Sequence, residues 1–240
     1  MGNIHGVDIV REGLVFSMDP ANPKSYPGSG NLVYNLKNLP YTGSLLGDTT
    51  IVSNPNTFVF DYDNDNDKIS FEIPNTLNLT TALTIEAWIN QEQLAHANHG
   101  DGVISVGDGS SNSANYEVLT VGNKSIFFRL VTGDGDKVYN PTNILIDLNK
   151  WYHIACTFNT STTMEIYINS IRVGTGTTTA QSQTINTDNS IFYIGQRHVS
   201  STGNSSTFGG FISACKIYNK ALTQAEVTQN YKALKGRFIN

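Results

Sequence analysis

Cysteine is nearly absent. Two residues, Cys156 and Cys215, in a chain of 240 cannot make a disulfide-built scaffold. Both fall in apolar alternating runs and read as buried thiols acting as small hydrophobes. Charge is scarce as well, at 15% of residues, and acids outnumber bases 20 to 15. A net charge of −5 without a basic cluster excludes a nucleic-acid surface. No run approaches the ~18 apolar residues of a membrane span. The opening MGNIHGVDIVREG has neither the basic nor the apolar region of a signal peptide. Also missing are a P-loop, a dinucleotide fingerprint, a G-x-S-x-G elbow and an H-E-x-x-H pair. No internal repeat points to a solenoid or propeller.

What remains is rich in Ser, Thr, Asn, Gly and β-branched residues, with aromatics at 10% to fill a core. That composition predicts strands and turns rather than a helical bundle. Trp151–Val173 shows the pattern best. Tyr152, Ile154, Cys156 and Phe158 share one face of a strand, and Met164, Ile166 and Ile168 share one face of the next. The segment Asn159–Thr162 predicts the first turn and Asn169-Ser170 the second. In Leu83–Asn90, Leu83, Ile85, Ala87 and Ile89 form a core face, with Thr84, Glu86 and Trp88 opposite. Gly28–Leu46 reads as an irregular segment, and Thr57–Phe60 with Lys68–Ile73 as strands around an acidic loop. One helix is predicted, over 222–235. Thr223 and Glu226 form its capping box, Leu222 and Val227 its staple, Val227, Tyr231 and Leu234 its apolar stripe, and Gly236 its C′ residue.

Several of these strings carry a family resemblance. W-Y-H-I-A-C-T-F followed by M-E-I-Y-I-N-S resembles the hairpin of laminin G-like, concanavalin A-like jelly-roll domains. Ser170 stands where that family usually has Gly, which predicts a wider turn. L-T-I-E-A-W-I, I-F-Y-I-G and Phe211–Tyr218 resemble further strands of the fold. G-L-V-F-S-M-D with N-P-K-S-Y-P-G-S-G, and the tail K-A-L-T-Q-A-E-V-T-Q-N-Y-K-A-L-K-G-R-F, resemble the terminal blocks of such domains in virion proteins of tailed bacteriophages. The resemblance implies an all-β, antiparallel jelly-roll sandwich with one C-terminal helix, spanning 1–240 as a single domain. It also implies a non-enzymatic structural component of a virion, as a capsid decoration or a tail or fibre part. Such a part would be present in multiple copies, among other virion proteins, and could contact host-surface glycans. The alternatives are a carbohydrate-binding adhesin outside a virion and, third, a glycoside hydrolase. Hydrolysis needs two carboxylates about 5–9.5 Å apart; the strand where jelly-roll glucanases carry theirs offers only Glu86.

Candidate site residues follow from this reading. A glycan site needs a flat ring and fixed polar groups. Trp88 with Glu86, or Tyr193 with Gln196 and Arg197, supplies that combination, unless Trp88 is covered by a loop. Asp61, Asp63, Asp65 and Asp67 alternate, with Glu72 twelfth from Asp61, which imitates a calcium loop. The sixth position, however, is Asn66 rather than Gly, and strands flank the loop instead of helices, so a solvated hairpin is the favoured reading of the acids. No cofactor is required by this reading; calcium is the one candidate. His153 reads as a core histidine satisfied by a hydrogen bond. Residues 1–12 precede the first strand and read as an arm free to dock on a neighbouring subunit.

Overall fold

The computed structural model describes residues 7–239 apart from 38–40, 55–56, 63–65, 73–76, 96–99, 108–113, 123, 134, 142–144, 161–162, 177–183, 188–190 and 198–205. Its strands are β1 (Leu14–Met18), β2 (Leu32–Tyr34), β3 (Thr42–Leu46), β4 (Thr50–Asn54), β5 (Thr57–Tyr62) and β6 (Lys68–Phe71). Then come β7 (Ala82–Gln91), β8 (Asp101–Gly107), β9 (Ala114–Thr120), β10 (Ile126–Thr132), β11 (Gly135–Tyr139) and β12 (Trp151–Asn159). The last are β13 (Met164–Ile168), β14 (Ile171–Gly176), β15 (Ile191–Ile194), β16 (Gln196–Arg197), β17 (Ser206–Thr207) and β18 (Gly210–Tyr218), followed by α1 (Gln224–Phe238).

The strands form two sheets. The smaller has eight strands in the order β14-β13-β12-β7-β18-β5-β4, with β1 also on β18. The larger has ten, in the order β11-β10-β9-β8-β15-β6-β3-β2, with β16 and β17 beside β8. Nearly all pairing is antiparallel, and the sheets enclose one core between them. Ile154, Cys156 and Phe158 of β12 share that core with Phe71, Phe192 and Tyr116 of the other sheet. Phe16, Phe71 and Phe192 meet with centroids 4.8–5.1 Å apart, in the stacked and edge-on arrangements that aromatic rings favour. This is a jelly-roll sandwich with one C-terminal helix, as the family resemblance implies. Cys156 and Cys215 are both free and buried.

The turn at Asn169-Ser170 is tight rather than wide. Ile168 pairs with Ile171, and both turn residues take positive φ, at 50° and 66°. Two such residues make the turn whose twist suits a hairpin. The Asn169 side chain, accepting the His153 N–H at 2.9 Å, offsets the cost of Ser where Gly is easiest. Two further expectations need correction. Gly28–Leu46 contains β2 and β3, and β3 is bound into the larger sheet by β6. The strands flanking the acidic segment do not make a hairpin: β5 belongs to the smaller sheet and β6 to the larger, so this segment crosses from one layer to the other.

The helix roofs the outer face of the smaller sheet. Its capping box forms as predicted between Thr223 and Glu226. Gly236 does not end it, because Phe238 in the next turn stacks on Trp88 at 4.5 Å and Arg237 pairs with Asp19 at 2.6 Å. The described part of the N-terminal arm is not free either. Val10 is buried with Leu14, Tyr167, Tyr218, Leu222 and Val227. Its N–H donates to Asn230 Oδ1 at 2.7 Å and its carbonyl accepts the Tyr218 hydroxyl at 3.1 Å. Residues 1–6 lie outside the described residues. Deleting residues 1–12 is therefore expected to cost about 2–4 kcal/mol of stability, from one buried valine and two buried hydrogen bonds. Urea unfolding checks this; an unchanged midpoint would mean that the arm is dispensable.

Candidate functional site

The sandwich has two outer faces, and the predicted site residues are divided between them. Glu86 and Trp88 lie on the outer face of β7, as the alternation requires, but both are wholly buried. The cover is α1 and not a loop. Trp88 is sandwiched against Phe238 and Tyr231, with rings 4.5 and 5.7 Å apart. Neither residue can meet a sugar while the helix is docked, so this half of the glycan expectation is corrected by burial alone.

Glu86 instead anchors a polar network under the helix. Asn230 Nδ2 donates to its Oε2 at 2.8 Å, and the Lys216 ammonium stands 3.9 Å away. Burial pushes the carboxyl up to about 7, against the opposing pull of Lys216 and the Asn230 amide. His153 lies 3.8 Å from Glu86 Oε1, and burial, reinforced by Lys216, holds its pKa well below the usual range. It is a neutral core histidine, but among the described residues neither ring nitrogen has a hydrogen-bond partner, contrary to expectation.

The other predicted group is assembled. Phe192 and Ile194 of β15 point into the core, so Tyr193 points out, in register with Ser105 of β8 and Ser70 of β6. Gly195 then bends the chain at φ +88°, a conformation that favours Gly, and a Cβ there would strike the Tyr62 ring at 2.0 Å. The backbone of Gln196 and Arg197 rests directly on Gly102. This bend delivers Gln196 and Arg197 to the same outer face as Tyr193.

Lys68 completes the cluster. Its ammonium donates to Gln196 Oε1 at 2.8 Å and sits 5.4 Å from the centre of the Tyr193 ring. Gln196 Nε2 donates onward to Thr207 Oγ1 at 3.1 Å. Burial lowers the Lys68 pKa and raises that of Tyr193, so both act as hydrogen-bonding groups with partly stripped hydration. Arg197 is a brace: its Nε and Nη2 donate to the Glu117 carboxylate at 3.0–3.1 Å. Arg129 grips the same wholly buried carboxylate from the other side at 3.0 Å and reaches Asp136 at 2.9 Å. Lys68, Ser70, Glu117 and Arg129 escape sequence reasoning at this site. The one available signal is alternation, since polar residues between Ile69 and Phe71, Tyr116 and Val118, or Phe128 and Leu130 must face outward.

The acidic segment is partly visible. Asp61 is in register with Thr50 and Phe211 within the smaller sheet. Asp67 is buried, and its Oδ1 accepts the Asp48 N–H at 2.6 Å, which pins the turn between β3 and β4. Asp63 and Asp65 lie outside the described residues. Among the described residues, no three His, Cys, Asp or Glu side chains converge as a metal site would require.

A family model described as the concanavalin A-like lectin/glucanases superfamily matches residues 62–228. A search of curated proteins gives no match. Among solved structures, a botulinum neurotoxin type C described as entering cells through two ganglioside molecules superposes with a TM-score of 0.67 at 19% identity, over 92% of this chain and 51% of that one. The binding domain of Paraclostridial mosquitocidal protein 1 gives 0.66 at 17%, over 91% and 52%. This chain spans about half the length of those toxin chains. Domain 4 of AbnA, an extracellular arabinanase of Geobacillus stearothermophilus solved with arabinotriose, gives 0.62 at 19%, over 91% and 98%. At these identities the likeness establishes the fold.

Proposed function

Because the chain belongs to the concanavalin A-like lectin/glucanases superfamily, we propose that it is a non-catalytic carbohydrate-recognition domain carried in multiple copies on a bacteriophage particle. The observation that carries recognition is the cluster on the outer face of the larger sheet, where Tyr193 stands beside Lys68 and Gln196 on the Glu117 brace. A half-buried ring with converging donors is what a sugar site needs. The non-catalytic part rests on placement. Glu86 and Glu117 are wholly buried on opposite outer faces of the sandwich, so they cannot flank one glycosidic bond. Association with a particle is supported by the likeness of the two terminal blocks to virion proteins. Fold neighbours described as a ganglioside-dependent toxin and an arabinotriose-bound domain add that such sandwiches serve recognition in other proteins. No described helix is long and apolar enough to cross a membrane.

Mass spectrometry of purified particles and a glycan array test the two halves separately. The chain is expected in particles in many copies, and array binding is expected to be lost in Tyr193→Ala without release of shortened sugars. Binding without the particle would leave an adhesin; released product would make it a hydrolase. Calcium on the acidic segment is a separate proposal. Millimolar calcium is expected to raise the melting temperature by linkage, and Asp63→Asn with Asp65→Asn to abolish the rise. No shift would leave the segment as a sheet-to-sheet connection held by Asp67.

A further inference from the structure

Beside the Tyr193 cluster the same outer face sinks into a cleft of about 520 Å³. Its lining includes Tyr41, Thr42, Ser44 and Leu46 from the β3 region and Ser70 and Glu72 from the β6 region. Its size falls within the roughly 300–1,000 Å³ of small-molecule sites. We infer that this cleft holds a short, neutral oligosaccharide laid across β2, β3, β6 and β15, with Tyr193 at its far end. This deepens the carbohydrate reading and rests on it.

Three observations carry the inference. First, register makes a track. Leu32 pairs with Ser44, Ser44 with Ser70, and Ser70 with Tyr193, so four outward residues stand in one row across four strands. At ~4.8 Å per strand the row is about 14 Å long, a fit for a chain of a few sugar rings rather than for one.

Second, the chemistry of the row matches sugars. The hydroxyls of Thr42, Ser44 and Ser70 are each donor and acceptor, as sugar hydroxyls are. They are only half-covered, and among the described residues no side-chain bond occupies them. The Lys68 ammonium has three protons, and Gln196 takes one. Leu32, Tyr34 and Leu46 are 37–39% exposed along the same edge and offer apolar surface for the C–H faces of the rings.

Third, the charge selects against acids. Among the described residues that line the cleft Glu72 is the one charged side chain, and it is exposed. Arg197 is committed to Glu117. The whole chain carries −5, which repels an anionic glycan before it arrives.

The test uses the full chain on a glycan array, then titration calorimetry with xylotriose, cellotriose and maltotriose against 3′-sialyllactose. At least one neutral class is expected to bind, and 3′-sialyllactose to bind at least tenfold more weakly or not at all. Ser70→Trp and Ser44→Trp fill the cleft from the solvent side. Each is expected to weaken neutral binding at least tenfold, with an unchanged melting temperature showing that the domain is folded. If both variants bind as the parent does while Tyr193→Ala does not, the cleft is wrong and the carbohydrate reading stands. Preference for the sialylated sugar overturns the neutral class. An array without any bound glycan removes the carbohydrate reading and this inference together.

Discussion

Arg129→Met is expected to destabilise the domain by about 3–5 kcal/mol, read as a lower midpoint in urea unfolding. Glu117 is wholly buried, and Arg129 and Arg197 hold its carboxylate at about 3 Å from two sides. Ser105 adds a weaker hydroxyl contact at 3.3 Å. Taking one arginine away leaves a buried charge half compensated, and the loss exceeds what the arginine contributed as an attraction. The control is to replace the whole group, as Arg129→Met with Glu117→Leu and Arg197→Met. With no charge left to desolvate, most of the stability is expected to return. If the triple variant is no more stable than Arg129→Met, packing and not charge explains the loss. The brace also bears on recognition, since Arg197 holds the strand end that presents Gln196.

The second large effect is on pH dependence. The Glu86 carboxyl is pushed by burial to about 7 from an ordinary 4.5. The folded protein thus holds this proton more tightly than the unfolded chain. The associated stability is complete below pH 4.5 and is lost as pH rises through 7. His153 runs the other way: its pKa is held low, so its contribution is present above 6.5 and is lost as pH falls. Glu86→Gln removes only the first of these contributions. Between pH 4.5 and 8 the variant is expected to gain on the parent by an amount on the order of 3 kcal/mol, the free-energy equivalent of holding the proton that much more tightly when folded. The contacts that Glu86 makes to Lys216 and Asn230 are lost or altered in the variant as well, and they change its absolute stability. The slope of the difference is therefore the readout, and a flat difference would mean that Glu86 ionises normally.

Local patterns are readable from the chain and long-range placement is not. Alternation gives the inward residues of β7 and β12, and the Thr223–Glu226 capping box places the start of the helix, because both depend on neighbours within a few residues. The end of the helix depends on Phe238 reaching Trp88, 150 positions away, so Gly236 misleads. For the same reason Trp88 and Glu86 read as a surface pair. Alternation says that they oppose the core, and nothing local says that a helix covers them. The acidic segment misleads in the reverse way, since two strands flanking a polar run look like a hairpin whether or not they share a sheet. Tyr193, Gln196 and Arg197 are legible because they are nearly contiguous. Their partners Lys68, Glu117 and Ser44 are not, because register alone brings them together.

The outer face of the larger sheet is the proposed recognition surface. Its most direct test is an amide chemical-shift map of the full chain during titration with whichever array glycan binds best. Shifts are expected to concentrate on β3, β6, β15 and β16, at Ser44, Ser70, Tyr193 and Gln196, with β7 and α1 unmoved. Shifts gathered instead on the helix-covered face, or away from both sheets, would contradict that assignment.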